Sequence, residues 1–302
     1  GAGGAARAMM HRALSTVGLW VVVGLVIWVG GFFSMAEQAA FLLLAGLTLA
    51  AQHEFYRLTR DIPGVRRHSP GGLLAGAALL FGLFFMAPER LRVSPALNAA
   101  ALCFGLHLLS VLRRPGEAPG LLKSLPTLYG FLYVPFMLSS LVGIARMEDG
   151  VLLARQPVGL YYVLWVVVAT KFTDVGGLLF GVPFGRHKIA PHISPAKSWE
   201  GCAGGLVFSA LASAGFAWLC GGPLGLSFMV PWKAALLALP LAALSVPSDL
   251  VESAFKRQAG AKDSGATIPG IGGALDLVDS LVLTAPAAVL LLTFFLEWAK
   301  RP

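Results

Sequence analysis

Apolar runs long enough to cross a lipid bilayer recur along most of this 302-residue chain, and no other feature limits the fold so strongly. A helix needs about 20 mostly apolar residues to span the hydrocarbon core. Every backbone polar group there must be satisfied internally, so helices are the default spanning structure. Nine stretches qualify, at roughly 13–33, 37–55, 71–87, 95–112, 124–145, 158–182, 201–221, 229–250 and 277–297. The fifth contains Pro126 and Pro135 and is expected to be broken or interfacial. The expected fold class is therefore all-α: a polytopic integral membrane protein with about nine transmembrane helices. Its parts are an N-terminal tail at 1–12, a first group of helices at 13–150, and a C-terminal group at 151–302 carrying loops 183–200 and 251–276. The first run follows Arg7 and Arg12 and is longer than a secretory signal core, which favours an uncleaved anchor.

Composition closes off other classes. Hydrophobic side chains make up 57% and charged ones 13%, whereas soluble domains hold about 25% charged residues. The net charge is +8, but the basic residues sit in short loops rather than in one stripe. Anionic lipid headgroups and phosphorylated substrates are the expected partners, and nucleic acid is not. Cys103, Cys202 and Cys220 are too widely spaced for a metal-ligand pattern. Counted over alternate segments, the side of the N-terminus holds 15 Lys/Arg and the opposite side 7. The positive-inside rule then puts the N-terminus and loops 183–200 and 251–276 in the cytoplasm.

Chemistry concentrates in two clusters. In the first, Asp249, Glu252, Ser253 and Lys256 recur at spacings of three and four and share a helix face. Arg257, Lys262 and Asp263 follow, then the Gly272-Gly273 turn, then Asp276 and Asp279, three apart. Carboxylates at a membrane boundary are costly unless they meet a cation or water. Carboxylates converging with lysines and arginines suit a metal-bridged polyphosphate, since Mg²⁺ takes one or two carboxylates plus phosphate oxygens. The alternative is a charged loop capping helix ends. Glycines at 272 and 273 would let a backbone approach a ligand closely.

The second cluster holds Lys171 and Asp174, then Gly185-Arg186-His187-Lys188 and Ser194-Pro195-Ala196-Lys197-Ser198-Trp199-Glu200-Gly201. Lys171 and Asp174 read either as a self-satisfied i,i+3 pair or as part of a polar cavity, and ionisable residues within a span favour the cavity. His187 and His192 read as loop residues. Glu37 and His53-Glu54 read as interfacial. Gly72/Gly76 and Gly201/Gly205 fit close helix–helix contact.

With these residues in view, stretch 253–279 resembles the C-terminal signature of the phosphatidate cytidylyltransferases, the CDP-diacylglycerol synthases. Ser253, Lys256, Arg257, Lys262, Asp263, Gly265, Pro269, Gly272, Gly273, Asp276 and Asp279 fall at matching positions. Stretch 174–201 is similar to the loop that precedes it in that family. Ile271 and Leu277 stand where the family has His and Arg, Ala274 where it has a larger apolar residue, and Ser248 where it usually has Gly.

The resemblance implies transfer of a cytidylyl group from CTP to phosphatidate, giving CDP-diacylglycerol and pyrophosphate in phospholipid synthesis. It implies Mg²⁺, with room for a second, monovalent cation such as K⁺, and a bacterial inner-membrane location. Asp249 and Asp276 would be the main metal ligands, and Asp279 a ligand or its support. Lys256, Arg257 and Lys262 would hold phosphates. Ser253, Asp263, Ser194, Lys197, Asp174, Gly272 and Gly273 would complete the substrate pocket. CTP, phosphatidate and membrane lipids are the partners, and a homodimer stays open. Three alternatives also stay open: a CTP-dependent enzyme on another lipid, such as a CDP-archaeol synthase or a polyprenol kinase; a transporter; and a catalytically silent paralogue.

Overall fold

The computed structural model describes residues 35–60, 71–86, 126–147, 158–220, 230–267 and 272–299. Helix α1 covers Ala36–Arg60 and α2 covers Gly71–Phe81, which continues into a π-helical turn at Gly82–Met86. Helices α3 (Pro126–Phe131) and α4 (Met137–Ala145) flank a second π turn at Leu132–Phe136. Then come α5 (Val158–Phe184), strands β1 (Lys188–Ala190) and β2 (Ser194–Ser198), α6 (Trp199–Cys220), α7 (Pro231–Gln258) and α8 (Ala274–Ala299).

Among the described residues, five helical segments are long and apolar enough to cross a membrane: Leu128–Ala145, Val158–Phe184, Trp199–Cys220, Pro231–Gln258 and Ala274–Phe295. The segment Gly71–Phe85 is apolar but shorter. Helix α1 has the length, yet Glu37-Gln38 and Gln52-His53-Glu54 bound its apolar stretch on both sides and leave it too short. The expected spans at 13–33 and 95–112 lie outside the described residues. An integral membrane protein of helices is thus what the chain folds into, with five candidate spans among the described residues.

Three details differ from the sequence expectation. The span holding Pro126 and Pro135 is not broken. Pro126 opens α3, where a missing N–H is harmless. Pro135 falls inside the π turn, whose widened hydrogen-bond pattern absorbs the lost donor. Loop 183–200 is shorter than expected, because α5 runs on to Phe184 and the rest forms an antiparallel β1–β2 hairpin pairing Lys188 with Ser198 and Ala190 with Ser194. Loop 251–276 is likewise shortened. Helix α7 continues to Gln258 because its charged face finds partners inside the protein, so the helix need not stop at an apolar boundary.

Helix α8 packs against α7, α4, α1 and α5. The interior is aromatic and aliphatic: Trp165, Tyr133, Tyr162, Phe55 and Phe255 are fully buried. Phe255 meets Phe55 at 5.4 Å and Tyr133 at 5.3 Å, both edge-on. Helices α5 and α6 form a hairpin that closes through small residues. A Cβ on Gly201 would lie 2.9 Å from the Gly177 carbonyl oxygen, and one on Gly205 would lie 2.7 Å from that of Thr173. Ser209 adds a 2.6 Å hydrogen bond to the Ala169 carbonyl. The small-residue contact expected at Gly201/Gly205 is therefore present, and Gly76 likewise faces Gln52 and Pro135. Gly205→Val is expected to separate the hairpin and destabilise the chain by about 1–3 kcal/mol, read as a lower unfolding temperature in detergent; an unchanged transition would contradict this packing.

Candidate active site

The site forms where α5, the β1–β2 hairpin, α7 and the start of α8 meet. Helical spacing puts Asp249, Glu252, Ser253 and Lys256 on one face of α7, as expected from the sequence. Asp276 and Asp279 face them from the first two turns of α8. Lysines interleave with these carboxylates. Lys256 pairs with Glu252 at 2.5 Å and with Asp276 at 2.8 Å, bridging α7 and α8. Lys171 pairs with Asp279 at 3.1 Å and donates to Ser280 Oγ at 2.6 Å, bridging α5 and α8. Its pair with Asp174 is longer, at 3.9 Å, so the sequence neighbour is not its nearest partner. Lys197 of β2 pairs closely with Asp249 and reaches the Val246 carbonyl at 3.4 Å, joining the hairpin to α7. Burial works to lower the Lys197 pKa, but Asp249 and then Asp174 outweigh it; the net direction is up and the ammonium stays charged.

In this network three lysines, Lys171, Lys197 and Lys256, face five carboxylates: Asp174, Asp249, Glu252, Asp276 and Asp279. The formal surplus is two negative charges. Asp249, Glu252 and Asp279 each bring an oxygen within 4.8 Å of the others. Glu252 is fully buried, and its Oε1 has no hydrogen-bond partner among the described residues. An orphaned buried carboxylate oxygen within a hard-oxygen set carrying a charge deficit of two fits a divalent cation such as Mg²⁺.

Asp276 has a different setting. Its Oδ1 takes Lys256, and its Oδ2 accepts the amides of Gly273 at 2.7 Å and Ser264 at 3.2 Å. The contact to Gly273, just before α8, follows the capping-box pattern. Gly272 has φ of 124°, and a Cβ there would lie 2.7 Å from Asp276 Oδ2. The close approach expected of Gly272 and Gly273 is thus made to carboxylates of the protein itself.

The remaining expected residues spread outward. Ser253 is buried and donates weakly to Asp249 Oδ1 at 3.4 Å. Ser194 is half-buried on β2, and Asp174 is exposed on α5. Arg257 is exposed, donating to the carbonyls of Ile193 and Ala261, both at 3.3 Å. Lys262 and Asp263 are exposed on the segment after α7, just before Ser264, whose amide reaches Asp276. His187 is an exposed loop residue as expected, 2.6 Å from Glu200.

Of the departures, Ser248 has a structural reason: its Oγ donates to the Asp279 carbonyl and accepts the Leu283 amide at 3.3 Å, tying α7 to α8. Leu277 is half-buried, and Ile271 lies outside the described residues. Two further carboxylates join the site without a sequence signal for their role. Helical spacing puts Glu252 on the site face of α7, but only the structure brings its oxygen within 4.8 Å of Asp249 and Asp279. Glu54, expected at an interface, is 4% exposed and contacts the Ser264–Leu275 region, with partners more than 200 residues away that no local pattern signals.

A helical membrane protein that sets three lysines against a surplus of carboxylates suits chemistry on phosphate-containing groups at a bilayer. Residues 10–295 match the cytidylyltransferase family, and the chain belongs to it. It is 32% identical over 260 residues to a phosphatidate cytidylyltransferase of Mycobacterium bovis, covering 83% of this chain and 79% of that one. It is 35% identical over 186 residues to one from Haemophilus influenzae, covering 61% and 63%. A Mycobacterium leprae relative with the same name is 41% identical over 131 residues, covering 43% and 40%.

Proposed function

We infer that the chain transfers the cytidylyl group of CTP to phosphatidate, releasing pyrophosphate and making CDP-diacylglycerol. The observation that carries this, beyond membership of the family, is the lysine–carboxylate network with its formal deficit of two positive charges. A phosphatidate phosphate oxygen attacks the α-phosphorus of CTP. The new P–O bond forms as the bond to the β-phosphate oxygen breaks, and pyrophosphate leaves with the electron pair. The nucleophile is already anionic, so no general base is needed. Catalysis is positioning and charge neutralisation.

Mg²⁺ belongs to this reading. Asp249, Glu252 and Asp279 would hold it, with Asp276 joined to them through Lys256, and it would neutralise polyphosphate charge. A monovalent cation such as K⁺ beside it is part of the same proposal. Lys171, Lys197 and Lys256 are held at fixed places by their carboxylates, ready to turn toward phosphate oxygens. Arg257 and Lys262, exposed at the rim, would draw in the triphosphate, with Asp263 beside them. Ser253 and Ser194 would donate to a phosphate oxygen, and Asp174 would set the outward end of the pocket. Leu179, Val207, Leu211 and Trp218 expose apolar side chains on α5 and α6 that suit lipid or a second copy of the chain.

We place the β hairpin and the segment after α7 in the cytoplasm of a bacterial inner membrane, where CTP is. Single cysteines at Ala196 and Ala266, both exposed, in a chain whose own cysteines are changed to serine, should react with an impermeant maleimide only after sealed cells are opened. Labelling from outside would reverse the orientation. For the reaction, the purified protein should release pyrophosphate from CTP on addition of phosphatidate and give far less with diacylglycerol or a polyprenol. A preference for either of those acceptors would replace phosphatidate in this reading.

A further inference from the structure

Glu54 reaches the site from α1, in the other half of the chain, and the reaction above gives it no part. Among the described residues its three partners are all donors from the segment that carries Asp276. Oε2 accepts the Leu275 amide at 2.8 Å and the Ser264 hydroxyl at 3.4 Å, and Oε1 accepts the Thr267 hydroxyl. The same segment is held from the other side by Asp276, which takes the amides of Ser264 and Gly273. Ser264 is thus shared, with its hydroxyl on Glu54 and its amide on Asp276. Leu275 is the second residue of α8, and its amide is one of the helix's orphan donors, so Glu54 acts as a remote cap carrying a charge that suits a helix N-terminus.

The segment passes so close that a Cβ on Gly265 would lie 2.5 Å from Glu54 Oε1, and one on Gly273 would collide with Oε2. Glu54 is also rigidly seated. It lies in the buried part of α1 beside Phe55, which is 1% exposed and packs on Phe255 of α7 at 5.4 Å.

We propose that Glu54 is a positioning residue of the active site, clamping Ser264, Thr267 and Leu275 to α1 and so fixing Asp276 and its partner Lys256. It touches neither CTP nor lipid. The proposal rests on the cytidylyl-transfer reading only for what the clamp serves; the clamp itself is read separately.

The test compares full-length Glu54→Ala and Glu54→Gln in detergent, by CTP turnover with phosphatidate and by hydrogen–deuterium exchange. Glutamine offers an acceptor oxygen to Leu275 and Ser264, and its amide can donate to the Thr267 hydroxyl, so it should hold kcat within about threefold. Alanine leaves three donors unmatched and should lower kcat at least about tenfold, with the KM for CTP nearly unchanged. Deuterium uptake should rise in peptides covering 263–267 and 272–279 and stay level in α5 and α6. If Glu54→Ala does not fold, the double variant Ser264→Ala/Thr267→Val loosens the clamp from its other end and should give the same kcat loss and local uptake. Native-like kcat in the alanine variant, a kcat loss without local uptake, or a glutamine variant as impaired as alanine would each overturn the proposal. If native protein turns over no CTP yet uptake still responds, the reaction assignment fails and the clamp stands.

Discussion

Lys256→Met is expected to abolish turnover and to destabilise the folded chain by about 3–5 kcal/mol, the usual result of removing one partner from a buried ion pair. Lys256 is the only cation paired with Glu252 among the described residues, and Glu252 is fully buried. Methionine fills the stem's volume but strands that carboxylate and frees Asp276 Oδ1. Stability and chemistry can be separated. The double change Lys256→Met/Glu252→Gln removes the stranded charge and should regain most of the lost unfolding temperature while staying inactive. A single variant that melts like the native chain would show that Lys256 does not neutralise Glu252.

Asp249→Asn and Asp276→Asn come next in size, each expected to lower turnover by about 10²-fold or more. At Asp249 the change removes the charge that pairs with Lys197 and one oxygen of the Asp249–Glu252–Asp279 group. At Asp276 it turns an amide NH₂ toward Lys256 or toward the donating amides of Gly273 and Ser264. Asp263→Asn is the comparison: that side chain is exposed and forms none of the ion pairs of the network, so a smaller loss than for Asp249 or Asp276 is expected. Steady-state assays across a range of Mg²⁺ concentrations decide it. Near-normal activity in either of the first two variants would remove that aspartate from the chemistry.

Much of this site could be read along the chain, because helical spacing alone puts Asp249, Glu252, Ser253 and Lys256 on one face and Asp276 with Asp279 on another. What could not be read was which face meets which. Lys171 sits three residues from Asp174, yet its closer carboxylate is Asp279, 108 residues on. Lys197 is expected in the pocket from the family resemblance, but its partner is not legible along the chain: the β hairpin turns it toward Asp249, 52 residues on. Glu54 stayed hidden because its partners are donors of small residues and backbone, which leave no charge pattern in the sequence. Pro135 misled in the other direction: proline signals a break, and a π turn absorbed it.

The central claim is that cytidylyl, not phosphoryl, moves to the lipid. Purified protein incubated with phosphatidate and Mg²⁺ should put label from α-³²P CTP into a chloroform-soluble product, while label from γ-³²P CTP appears only in pyrophosphate. The α label should vanish from lipid in Asp249→Asn. Lipid labelled from the γ position would mean a kinase, and no lipid label from either position would mean that this chain does not carry out the reaction assigned to it.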